Sequence, residues 1–183
     1  MTVKAISSLV LFAFALAPLA AQEPHEKKAH GKETAKNARF ERFKLLAGEW
    51  EGKEQGKEGF DVRVKYKVTA GGSAVVETLL PGTDHEMVTV IHRDGDDLLL
   101  THYCMLGNQP QMKASGKGDD NKVEFKFVRA TNMKSEKEMH MHDVAFTFVN
   151  DDTLRVEWTN FKDGKDGGRV LFELKRKKVE KSR

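Results

Sequence analysis

The sequence predicts an all-β fold: an up-and-down antiparallel β-barrel of about ten strands with one short N-terminal helix. Three observations predict it. First, Phe60, Val62, Val64, Tyr66 and Val68 alternate with Asp61, Arg63, Lys65 and Lys67, the period of a strand with one buried and one wet face. Second, turn chemistry recurs at short intervals, at Gly71-Gly72, Pro81-Gly82, Asp94-Gly95, Gly118 to Asn121, Asn150 to Asp152 and Asp163 to Gly168. Third, no segment between strands has the length of a helical crossover, so neighbouring strands run antiparallel. Such a series buries its apolar faces against itself, and closure removes the exposed edges. An open or sandwich arrangement is the alternative.

The elements follow in order. Met1 to Ala21 reads as a secretory signal peptide: Lys4 is the positive start, Leu9 to Ala17 the apolar centre, and Ala20-Ala21 the small residues before a cut. The apolar run is short for a membrane span. Gln22 to Asn37 is crowded with charge, poor in large apolar residues, and reads as a disordered linker. The folded domain is expected over 38–176, with a basic tail over 177–183. Phe40, Phe43, Leu45 and Leu46 approximate a helical stripe between a cap at Asn37 and a stop at Gly48. A first strand lies near Gly52. Phe60 to Val68, Ala74 to Leu80 and Glu86 to Arg93 follow, then the apolar run that ends in His102-Tyr103-Cys104. After a Gly107 to Pro110 loop come Met112 to Ser115, Lys122 to Ala130, Met139 to Val149, Thr153 to Asn160 and a last strand carrying Val170, Phe172 and Leu174.

Composition narrows the function. The 183 residues are 39% hydrophobic and 32% charged, enough for one globular domain with one core. The formal charge of +3 gives no electrostatic footprint for nucleic acid. One cysteine, Cys104, in an exported chain means no internal disulfide, so the core alone must hold the fold or Cys104 pairs between chains.

The stretch from Asp96 to Met112 is the most informative. Alternation puts His102 and Cys104 on the face of Leu98 and Leu100. His140 and His142 have the same spacing and, by alternation, share a face with Val144, Phe146 and Phe148. His-x-His and His-x-Cys on strands project two donors to one side, so His102, Cys104, His140 and His142 form a candidate metal set for zinc or copper. The alternative is that they line a cavity of mixed polarity or face solvent near strand ends. A nucleophilic role for Cys104 needs a base within hydrogen-bond reach. His102, about 6 to 7 Å away along a strand, is awkwardly placed for that. Glu77 interrupts an apolar run and either meets the polar end of a ligand or points to water.

The order of a helix, then Gly48-Glu49-Trp50-Glu51-Gly52, then a meander resembles the calycin superfamily, the lipocalins and their barrel relatives. That resemblance implies that Trp50 lies across the closed end of the barrel under an arginine, Arg176 or Arg169. The glycines Gly52 and Gly56 are also similar to the opening strand of haem-binding nitrobindin barrels, and the strand number to fatty-acid-binding proteins. Nitrobindin-type barrels hold iron through a late histidine, and here none follows His142.

A barrel of this strand number encloses more volume than its side chains need fill. The expected function is therefore an exported barrel binding a small, mainly apolar molecule internally. Its ligand residues would come from Tyr66, Glu77, His102, Cys104, Phe125, Phe127, His142 and Phe146. No cofactor is required by this reading. A metal- or haem-binding barrel using the His/Cys set is the first alternative, and a small-molecule enzyme with a reactive Cys104 the second.

Overall fold

Alternating patterns of this kind close on themselves in the computed structural model, which describes residues 38–56, 60–114 and 121–178. The expected leader (1–21), linker (22–37) and nearly all of the tail (179–183) lie outside the described residues. The strands are β1 (Gly48–Glu54), β2 (Asp61–Thr69), β3 (Ala74–Leu79), β4 (Met87–Asp94) and β5 (Asp97–Tyr103), then β6 (Gln109–Ala114), β7 (Lys122–Thr131), β8 (His140–Asn150), β9 (Thr153–Lys162) and β10 (Lys165–Arg176). Each pairs antiparallel with its neighbour in sequence, and β1 pairs with β10, so the barrel is closed. A short helix, α1 (residues 38–45), precedes it. No helix among the described residues is long and apolar enough to cross a membrane.

Helix α1 closes one end. Phe40, Phe43 and the following Leu46 are buried in the same core as the inward residues of the strands. Phe43 meets Phe125, Phe146 and Phe148 edge-on, with ring centroids 5.9, 5.1 and 5.4 Å away. Aromatic rings prefer this geometry because the positive edge of one faces the negative face of the other. At the same end Trp50 is buried, and its indole N–H donates to the Leu46 carbonyl at 2.8 Å. The Arg176 guanidinium lies 4.3 Å from the Trp50 ring centre and donates to the carbonyls of Leu45, Ala47 and Asp151. Arg176 thus covers the indole, whereas Arg169 pairs with Glu157 on the outside.

Closure sets a steric demand on β1. Gly52 pairs with Leu174, and a Cβ at Gly52 would collide with the backbone carbonyl of Glu173. Only glycine lets β1 and β10 approach this closely.

Two boundaries and one irregularity inside a strand differ from the sequence reading. Strand β6 begins at Gln109, inside the expected loop; the prolyl nitrogen of Pro110 has no hydrogen to give, and β5–β6 pairing stops at Thr101 with Gln111, so none is needed there. Strand β10 begins at Lys165, because the turn is only Asp163-Gly164 and the glycines sit at a bulge between Asp166 and Gly168. The irregularity is a bulge in β8 between Met141 and Asp143, which governs the histidines.

Candidate functional site

The opposite end of the barrel, where β1, β3, β5 and β9 finish and β4, β8 and β10 begin, carries a concavity of about 310 Å³. Its lining is mainly apolar: Leu79, Leu80, Met87, Met141, Trp158, Val170 and Phe172, with Phe60, Met105, Glu54 and His85 also bordering it. His102, almost fully buried, is also among the residues that border it. Another groove, beside the helix, mixes apolar residues such as Leu45 and Phe148 with the charged Arg42, Asp151 and Arg176.

His102 arrives there because Leu98, Leu100 and His102 alternate inward along β5, as the sequence predicts; all three are buried. Its Nδ1 lies 3.0 Å from the Thr89 hydroxyl, and its ring leans on Trp158 at 4.6 Å between centres. Burial pushes its pKa down to about 4, so the imidazole is neutral at physiological pH.

This histidine ends a polar row. Tyr66 pairs with Glu77 across β2 and β3, Glu77 with Thr89 across β3 and β4, and Thr89 with His102 across β4 and β5. Direct cross-strand partners project to the same side of a sheet, so four polar side chains run across the apolar interior, each 3% exposed or less. The Tyr66 hydroxyl is 2.9 Å from Glu77 Oε1. Burial raises the pKa of the Glu77 carboxyl, while the Tyr66 and Thr89 hydroxyls pull it down. Burial also holds the Tyr66 phenol well above its usual range, with the Glu77 charge adding to the effect. Among the described residues, four buried side-chain polar atoms lack a hydrogen-bond partner, and two of them, Glu77 Oε2 and His102 Nε2, belong to this row.

The other expected site residues go elsewhere. Phe125 and Phe146 are fully buried against Phe43, in the packed end rather than around the concavity. The hollow is therefore at the mouth and not through the middle, because α1 fills the far end with aromatic side chains. His142 does not share a face with Val144, Phe146 and Phe148. The β8 bulge inserts an extra residue opposite β9, which reverses the alternation. Met141 packs against the core, and His140 pairs with Phe161, which alternates away from the inward Trp158.

His142 is instead sandwiched between Phe161, 3.8 Å away and nearly parallel, and Phe127, 4.5 Å away. Phe127 is accordingly not in the core with Val123 and Phe125. Pairing of β7 with β8 stops at Phe125 and Val144, and beyond it the Phe127 N–H donates to the Asp143 carboxylate. The ring stack fills the seam where the two strands part. His140 Nδ1 lies 2.8 Å from the Glu138 carbonyl, and its Nε2 lies 3.1 Å from His142 Nδ1.

Cys104 follows the end of β5, so strand alternation no longer places it with His102. It sits half-buried in a turn, accepting from Gly107 N–H through its carbonyl, and does not line the concavity. Burial pushes its thiol pKa up, which disfavours the thiolate that a nucleophile or metal ligand requires. His102, Cys104, His140 and His142 are not brought together as the expected metal set. Among the described residues no group of three or more His, Cys, Asp or Glu side chains is arranged to hold a metal ion. A haem does not fit within the concavity either: about 310 Å³ is too small to hold a porphyrin with its side chains.

Sequence reasoning missed Met141, Val170, Met87 and Trp158 as lining residues. Trp158 was legible as inward-facing through its alignment with Leu154 and Val156, but which strand ends meet at one mouth depends on closure. Comparison of the chain with protein-family models and with curated proteins finds no match.

Proposed function

We propose that this barrel binds a small, mainly apolar molecule in the concavity at its open end. The observation that carries the reading is the lining itself: Leu79, Leu80, Met87, Met141, Trp158, Val170 and Phe172 converge around one partly buried hollow. Binding pockets are typically concave and apolar with a few polar groups that fix orientation. Ligand residues on this reading are Met141, Trp158, Val170, Phe172 and His102, with Glu77 and Tyr66 acting behind His102. The Trp50–Arg176 pair at the closed end supports grouping the chain with the calycin barrels, and the Met1 to Ala21 pattern supports export. Mass analysis of the mature protein tests export, since a chain retaining Met1 to Ala21 contradicts it.

The test of binding is titration with N-phenyl-1-naphthylamine, an uncharged probe that fluoresces in apolar surroundings. Saturable enhancement is expected from the wild-type protein, with a large loss for Val170→Lys, which places an ammonium in the hollow. Absence of saturable binding, or equal binding by the folded variant, refutes the proposal.

A further inference from the structure

Resting on that reading, the polar row narrows the ligand class. We propose that the ligand is not an anion and carries a hydroxyl, phenolic or alcoholic, that hydrogen-bonds to His102 Nε2, with its apolar body against Trp158, Met141 and Val170. His102 is 1% exposed, and Nε2, the ring nitrogen farther from the strand, has no partner. A buried group left without a hydrogen bond is costly, so a ligand group that completes the bond is favoured over an apolar one.

The hydroxyl follows from the row's two hydrogen-bond directions. When the Thr89 hydroxyl donates to Nδ1, the proton of the neutral ring is on Nε2, which then seeks an acceptor. When Thr89 donates towards Glu77 instead, Nδ1–H donates to Thr89 and Nε2 seeks a donor. A hydroxyl serves both states, whereas a carbonyl or an indole-type N–H serves one. The described lining disfavours an anion. Among the described residues no Lys or Arg borders the hollow, and the ionisable groups that do are Glu54, His85 and His102. A carboxylate would lose its hydration and gain no cation from the described lining in return. The volume of about 310 Å³ suits a bicyclic or similarly small body.

Equilibrium dialysis at pH 7 with 2-naphthol, 2-methylnaphthalene and 2-naphthoate separates the terms, because the three share one ring system. The expected order is 2-naphthol about tenfold tighter than 2-methylnaphthalene, with 2-naphthoate weakest. In His102→Phe, which keeps a ring but no nitrogen, the two uncharged probes should bind within about twofold of each other. Equal binding of these two probes to the wild type overturns the hydroxyl inference and leaves the apolar pocket standing, as does tightest binding of 2-naphthoate. Failure of all three to bind overturns the pocket as well. The wild-type comparison decides these outcomes even if His102→Phe does not fold.

Discussion

Phe43→Ala tests whether α1 is a structural plug. The Phe43 side chain is 0% exposed and meets three phenylalanines edge-on, on β7 and β8. Removing a buried phenylalanine typically costs about 3 to 5 kcal/mol through lost transfer energy and the cavity left behind. The rings it touches belong to strands held by their own ladders, so they cannot collapse fully into the space. A loss of about 4 kcal/mol, in the middle of that range, is therefore expected. For a domain of this size that corresponds to a fall in Tm of roughly 8 to 16 °C. Urea unfolding followed by circular dichroism reads the stability, and probe titration of the open end reads the pocket. The concavity lies at the other end of the barrel, so affinity for N-phenyl-1-naphthylamine in the folded variant should change less than about twofold. A stability loss below about 1.5 kcal/mol would show that the helix merely lies against the barrel.

Other perturbations probe closure and charge. Arg176→Ala removes the cation over Trp50 and the donors to three carbonyls, and should cost about 2 kcal/mol with an altered near-ultraviolet signal from Trp50; an unchanged spectrum and stability would refute that role. Gly52→Ala should destabilise by about 2 kcal/mol or more, measured by urea unfolding, because the new methyl meets the Glu173 carbonyl; a neutral effect would mean β1 and β10 can separate there. His102 has a folded-state pKa of about 4 against an ordinary 6.5, so the unfolded chain binds the proton more readily. Stability is complete above about pH 6.5 and falls as pH drops towards 4, by about 3 kcal/mol from this group. His102→Phe should flatten that window, and an identical pH profile in the two proteins would contradict a neutral buried imidazole. Glu77 has the opposite sign: its raised pKa means stability is lost as pH rises through it, so Glu77→Gln should be neutral or stabilising at pH 7 by thermal unfolding.

Of the residues that line the concavity the sequence reading named His102 alone as a ligand residue, and its inward direction was legible because it sits in an uninterrupted strand. In β2, β3 and β5 the alternation runs without a bulge, and Tyr66, Glu77, Leu98, Leu100 and His102 face inward as their spacing implies. Where an irregularity intervenes, spacing fails. His142 and Phe127 were placed on the inner face by parity, yet the extra residue in β8 and the parting of β7 from β8 carry them into a ring stack. Cys104 was grouped with His102 on a period that had already ended at Tyr103.

By itself the sequence determined the strand number, the antiparallel order and the inward set of each regular strand. Those are local or nearest-neighbour properties, fixed by side-chain period and turn chemistry. Tertiary structure alone decided how much interior remained unfilled and which strand ends shared a mouth. Both depend on the volume that α1 inserts and on the register at which β1 meets β10, sums over residues far apart in sequence. The same distance explains why the row Tyr66–Glu77–Thr89–His102 appears only on folding: each member is separated from the next by a turn, and cross-strand register brings them into line.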